Sequence, residues 1–256
     1  MTETQDHESP AHRTAPDTPR PGEHTAPAAS PAAASAEASG IVVYGAGGRA
    51  GRAVVAEARR RGHRVTAVVR STERHAAVAA DGVDLVEGDI TSADDVARTA
   101  RGRLAAVHAV SPLPGPEIEP FDPEFFVKAA DALLTGLALA GVPRLVAVGI
   151  FSALPGPDGR PLYEDPAAVP PPYAPFAAAH DAGHTHLAAA AGSPVDWLTL
   201  TPPAGLSLEL PRTGTYLTTP DTPPFTATLS YADLAVALID ESENPRHHRT
   251  RLALHV

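Results

Sequence analysis

Apolar residues fall in two rhythms along most of this chain. Short, nearly continuous apolar runs occupy residues 41–44 (IVVY), 64–69 (RVTAVV), 83–87 (VDLVE), 104–110 (LAAVHAV) and 145–148 (LVAV). Their length and Val/Ile content predict strands of a sheet covered on both faces. Between them the apolar positions recur every three or four residues. After Gly51, Val54, Val55 and Ala58 oppose Arg52, Glu57, Arg59 and Arg60. Ser92 is placed to cap a second helix with Asp94 and Asp95 in its first turn. Over residues 125–140, Phe126, Ala129, Ala130, Leu133, Leu134 and Leu137 define one buried face, and Gly141 ends the helix. Alternation of this kind predicts an α/β fold of Rossmann type, a doubly wound parallel sheet. Right-handed crossovers then bring the C-terminal ends of the strands to one rim, where ligands bind.

The rhythm changes after Ser152. A proline-rich loop runs to residue 175, followed by a helix over 176–191 and a strand over 195–200 that leads into Thr201-Pro202-Pro203. Short extended pieces follow at 213–217 and 225–228. Ser230 is placed to cap a helix over 231–239, and residues 251–254 form a closing strand. Loops this long in one domain are commonly functional. This region, mainly 151–229, is expected to be a small C-terminal substrate-side part of the same domain, which spans 40–256.

Residues 1–39 are mostly Ala, Pro, Ser, Thr, Glu and His, with hardly a large apolar side chain. They are expected to be a disordered tail, since so little burial cannot offset ordering entropy. The tail has no apolar h-region, and no run elsewhere is long enough to span a bilayer, so no membrane partner and a cytoplasmic location are expected. The chain has no cysteine, which excludes disulfide and thiolate chemistry. A net charge of −10 speaks against nucleic acid as a partner. A small-molecule substrate and a monomer or small homo-oligomer are the remaining expectations.

The chemistry concentrates in Gly45-Ala46-Gly47-Gly48-Arg49-Ala50-Gly51, between the first strand and the first helix. Gly45 suits a tight exit from the strand, Gly48 the close approach of a pyrophosphate, and Gly51 the packing of helix on sheet. The helix N-terminus offers N–H groups to phosphates. The second strand ends in Arg70, where an NAD-selective site carries an acid for the ribose 2′-hydroxyl. A guanidinium there suits a 2′-phosphate, with Arg49 on the same side, so NADP is the expected cofactor. NAD stays open, because an arginine at a strand end is also an ordinary solvated residue.

GAGGRAG, VTAVVR, VEGDI, VSP, VDWLTLTPPA, RTGTY and SYADLAVALIDE together resemble the NAD(P)H-binding atypical short-chain dehydrogenases, the group that includes NmrA-like proteins and biliverdin/flavin reductases. The resemblance covers 41–256. It implies that Gly45, Gly47, Gly48, Arg49, Ala50, Gly51 and Arg70 hold the diphosphate and 2′-phosphate. It further implies that Asp89 and Ile90 flank the adenine, that Ser111 lines the nicotinamide ribose, and that Thr201 and Pro202 meet the nicotinamide end. It does not fix a substrate.

One departure bears on activity. Catalytic members carry a Tyr-x-x-x-Lys pair, the lysine lowering the tyrosine pKa. Tyr173 is followed by Ala174-Pro175-Phe176-Ala177, Tyr163 has no lysine partner, and Lys128 lies on an earlier helix. Two candidates remain for proton chemistry. Ser152 is a hydrogen-bond donor to substrate or a loop serine satisfied by its own backbone. His180 shares a helix face with His184, with His186 nearby. The three histidines read as a proton donor centred on His180, as a two-histidine metal site lacking a third ligand, or as a solvated face. No metal is expected. His63, His75, His108, His247 and His248 read as surface or edge residues. Two functions follow: an NADP(H)-dependent oxidoreductase passing hydride to a small conjugated acceptor such as a flavin or quinone, or a non-catalytic NADP(H)-sensing binding protein.

Overall fold

The computed structural model describes residues 23–25, 40–112 and 121–256. Seven strands run parallel in one twisted sheet: β2 (Gly40–Tyr44), β3 (Val65–Val69), β4 (Val83–Glu87), β5 (Arg103–His108), β6 (Arg144–Val148), β7 (Asp196–Thr201) and β11 (Thr250–His255). Their order is β4-β3-β2-β5-β6-β7-β11, and the antiparallel strands β9 (Thr215–Thr219) and β1 (Glu23–Thr25) extend the β11 edge. The chain winds outward one way from β2 to β4 and the other way from β5 onward. The topological switch point therefore lies between β2 and β5, which pair from Ile41–Ala105 to Tyr44–His108.

Alternate residues of the central strands face opposite layers. Ile41 and Val43 pack with Val54, Val55 and Ala58 of α1 (Arg49–Arg60) and with Leu234, Leu238 and Ile239 of α5 (Tyr231–Glu243). Val42 and Tyr44 face the opposite layer, with Val96 of α2 (Ala93–Ala100), Leu133 and Leu137 of α3 (Phe125–Ala140), and Leu187 of α4 (Ala174–Ala189). Both faces are covered, which is why the strands read as continuous apolar runs.

The local signals lie where the sequence places them. Ser92 accepts a hydrogen bond from the Asp95 N–H, Ser230 accepts one from the Asp233 N–H, and Gly141 ends α3 in the left-handed region at φ 70°. Helix α4 begins at Ala174, two residues before the expected start, with Pro175 in its first turn. The piece expected at 225–228 is instead β10 (Thr228–Ser230), which pairs in parallel with β8 (Gly205–Ser207) as a separate two-stranded sheet. Asp233 holds this region together: its buried carboxylate accepts from the Thr213 and Gly214 N–H groups and from the Ser230 hydroxyl. Apart from β1, the tail 1–39 lies outside the described residues, and the expectation of disorder lies there with it. Among the described residues no helix is long and apolar enough to cross a membrane.

At the N-terminal edge of the sheet, buried Arg144 bonds Asp196 at 2.6 Å, Glu241 at 3.0 Å and the Glu241 and His247 carbonyls. This cluster ties β6, β7 and the end of α5 together at the edge opposite the ligand rim.

Candidate functional site

The glycine loop leaves β2 at the switch point, and each glycine meets a different constraint. Gly45 sits at φ 81°, and a Cβ there would lie 2.7 Å from the Ala109 carbonyl oxygen at the exit of β5. A Cβ on Gly51 would overlap the Gly45 carbonyl, so α1 could not come so close to the strand exit. Gly48 differs. It is exposed, and the nearest atom to a Cβ there is Gly45 O at 3.4 Å, so the protein's own packing does not require glycine at this position. The open space above Gly48 is the cradle a phosphate needs. Helix α1 starts there with no side-chain cap and no acid in its first turn, whereas α2 and α5 have both. The loop thus fits the diphosphate of a nicotinamide dinucleotide, with Ala50 in the first turn of α1 beside it.

Arg70 is exposed at the end of β3 and lines a groove with Glu87, Gly88, Asp89, Asp95 and Arg98. Arg98 is tied to Asp95 at 2.7 Å and to the Glu87 carbonyl, and Asp89 accepts from the Thr91 N–H and hydroxyl. Among the described residues, the guanidinium groups of Arg70 and Arg74 make no hydrogen bond or ion pair. Ile90 is buried against the α2–α3 layer, so the Asp89 side forms the groove and Ile90 its support.

Arg49, Thr201 and Pro202 stand elsewhere than foreseen. Arg49 does not turn toward Arg70; its guanidinium lies 5.8 Å from the centre of the Tyr231 ring at the start of α5, a cation–π distance. Thr201 is fully buried, its hydroxyl packed on Gly149 and without a hydrogen-bond partner, and Pro202 is buried beside it. These two residues form the floor under the β6 exit. Ser111 is exposed just beyond β5, and Ser152 lies in the 3₁₀ turn Phe151–Ala153 beyond β6.

The histidines need the larger correction. His108 is not at an edge: β5 is a central strand and the residue is 8% exposed, beneath α3 and α4. With His180, His184, Phe126 and Thr199 it lines a cavity of about 20 Å³ under the exits of β5 and β6, room for one water. His180 stacks on Phe126 with ring centres 4.2 Å apart, and His184 bonds the Thr199 hydroxyl at 3.2 Å. Burial pushes His108 down to about 4. Burial, reinforced by the neighbouring His108, pushes His180 down to about 3, and burial takes His184 to about 4. Near neutral pH all three are uncharged rings, so His180 is not poised as an acid. His186, on another face of α4, lies 3.4 Å from Asp131. Among the described residues no group of three histidine or carboxylate side chains could hold a metal ion.

His75 also departs from expectation. Its ring packs on Gly47, in the space that a side chain there would fill, and its Nδ1 is buried without a partner. Sequence carried no signal for this contact, which joins residues 28 positions apart in a turn without periodicity.

The tyrosines and the lysine stay apart. Tyr163 donates to Asp181 at 3.4 Å, and Tyr173 is 44% exposed. Lys128, the chain's sole lysine, is bound to Asp122 at 2.7 Å and to Glu124 at 3.2 Å.

Comparison with known proteins agrees with this geometry. The profile of the NAD(P)H-binding family matches residues 45–245. The chain is 30% identical over 221 residues to the uncharacterized protein YwnB of Bacillus subtilis, covering 84% of this chain and 97% of that one. Among solved structures it is similar to a candidate epimerase from Bacteroides thetaiotaomicron, with TM-score 0.73 and 29% identity over 86% of this chain and 97% of that one. It is also similar to a candidate NADH-flavin reductase from Streptococcus pneumoniae, with TM-score 0.66 and 25% identity over 84% and 98% of the two chains. The chain belongs to the NAD(P)H-binding family, as a Rossmann protein of the atypical short-chain dehydrogenase type.

Proposed function

We propose that this protein is an NADP(H)-dependent oxidoreductase that passes hydride to a small conjugated acceptor such as a flavin or quinone. The observation that carries the reading is the unpartnered guanidinium of Arg70 at the end of β3, the strand that pairs with β2 and its open glycine loop. A cation without a carboxylate partner at this strand end favours a dianionic 2′-phosphate over a ribose hydroxyl. The similarity to a candidate NADH-flavin reductase supports the choice of acceptor.

When bound, the cofactor supplies a hydride at nicotinamide C4. The chain's own part is placement. The loop from Gly45 to Gly51 and α1 hold the diphosphate, Arg70 anchors the adenylate end, and the groove beside Asp89 takes the adenine. The exits of β5 and β6, with Ser111 and Ser152, border the space where an acceptor ring would lie. With Lys128 occupied by Asp122 and Glu124, no lysine stands beside a tyrosine to make it an acid. A flavin or quinone suits such a site, because its reduced form takes a proton from water and rate depends mainly on proximity. We read the protein as cytoplasmic and as a monomer or small homo-oligomer.

The test is NADPH oxidation by purified protein over a panel of flavins, quinones and enones. Turnover of none of them above background refutes the reading. The same lack of a Tyr–Lys pair favours a second reading, a sensor whose partner binding follows NADP(H) occupancy. It predicts NADPH binding with no hydride transfer, and a partner whose capture changes on adding NADP⁺ or NADPH.

A further inference from the structure

We propose that Glu23–Thr25 is a removable guard on the β9 edge of the sheet, and that the same edge, once bared, pairs with β9 of a second copy of this chain. A strand at the edge of a sheet presents unpaired N–H and C=O groups, a template for another strand unless something blunts it. The two edges of this sheet differ. On one side β4 carries the exposed carboxylates of Asp84 and Glu87, which oppose the approach of a like strand. On the other, β9 reads Thr-Tyr-Leu-Thr-Thr, with no charge, no proline and residues that favour extended backbone. It is also firmly held. Tyr216 is buried with its hydroxyl donating to Asp240 of α5 at 2.8 Å, and Leu217, Thr218 and Thr219 pair with β11. On this template lies β1, antiparallel, with Glu23 opposite Leu217, His24 opposite Tyr216 and Thr25 opposite Thr215.

Chain length permits this docking within one molecule. Strands β1 and β2 stand six strand positions apart, about 29 Å at ~4.8 Å per step, and the fourteen residues between them reach about 48 Å at most. A tether of that length keeps the segment at its own edge at a concentration on the order of a millimolar. Three residues form few hydrogen bonds, so the tether rather than the contact lets β1 outcompete a second copy at micromolar protein. Without β1, two β9 strands can meet about a two-fold axis, antiparallel, with no like charges opposed.

Sedimentation velocity from micromolar to high-micromolar protein tests this on the full chain and on a chain lacking residues 1–38. The full chain is expected to sediment as one copy throughout, and the shortened chain as two copies at the upper concentrations. The full-length double variant His24→Pro, Thr25→Pro is expected to pair as the shortened chain does. Neighbouring residues of a strand turn their N–H groups to opposite sides, so one of the two prolines removes a donor facing β9. Thr215→Lys, which charges the edge, is expected to return the shortened chain to one copy, as is a millimolar synthetic peptide of residues 20–30. A shortened chain that stays single at every concentration overturns the proposal, as does a double-proline variant that stays single while the shortened chain pairs. A dimer that persists with Thr215→Lys uses another surface and overturns it too. So does a full chain that is already paired, since the segment then docks across copies or guards nothing. Should Thr215→Lys fail to fold by circular dichroism, the peptide decides: a dimer that it does not dissociate overturns the proposal.

Discussion

Acid should destabilise this protein well above the range where its carboxylates titrate, and His108 provides the measure. Its ring is 8% exposed, and burial lowers its pKa from an ordinary 6.5 to about 4. A depressed base favours the fold while neutral. Its contribution is complete above the unfolded pKa and is lost as pH falls toward the folded one, because the unfolded chain then binds the extra proton. Between about pH 8 and about pH 5 the loss from His108 alone comes to about 2 kcal/mol, against a typical total stability of roughly 5–15 kcal/mol. His180 and His184 act in the same direction. Urea denaturation across that interval, for wild type and for His108→Gln, isolates the effect. The absolute stability of the variant is immaterial; only its slope with pH matters. His63, His247 and His248, each paired with a carboxylate, are common to both proteins and cancel in the difference. The variant is expected to lose about 2 kcal/mol less than wild type on acidification. Parallel pH profiles for the two proteins would refute the assignment of His108 as a buried neutral ring.

Other expectations follow from single contacts. Arg70→Ala should weaken NADPH about tenfold more than NADH in fluorescence titration, and equal loss would remove Arg70 as the discriminator. Gly48→Ala should leave the melting temperature nearly unchanged yet reduce NADPH affinity at least about tenfold, since its methyl group would enter the cradle and meet no protein atom closer than 3.4 Å. Gly51→Ala should instead destabilise the fold by about 2 kcal/mol or more, because its Cβ overlaps the Gly45 carbonyl. Ordinary stability in that variant would contradict the packing described. Glu241→Ala leaves the Arg144 guanidinium buried with one partner fewer, and chemical denaturation should register a loss of about 3 kcal/mol. Removing residues 1–38 takes away only the three-residue strand β1 from the described fold and should cost less than about 1 kcal/mol.

Much of the fold is written in local signals. Continuous apolar runs mark strands buried on both faces, Ser92 and Ser230 mark helix starts, and Gly141 marks a helix end. Each depends on a few neighbouring residues and elementary sterics, so each is legible in the chain. The glycine loop is legible for the same reason: strand, glycine turn and helix are contiguous, and the left-handed turn at Gly45 and the contact of Gly51 with Gly45 arise within seven residues. What remained hidden depends on residues distant in sequence. His108 looks like an edge residue until β5 takes its place between β2 and β6 and α3 and α4 close over it. The turn toward Tyr231 that draws Arg49 away from Arg70 requires α5 to pack beside α1. The floor made by Thr201 under Gly149 requires β6 and β7 to pair in one register. His75 reaches Gly47 with its turn anchored from another element, by Glu87 at the end of β4. Periodicity and capping report what a segment becomes; which side chains meet across segments is set by strand order and helix packing, and there this chain's buried histidines and the lining of its site were decided.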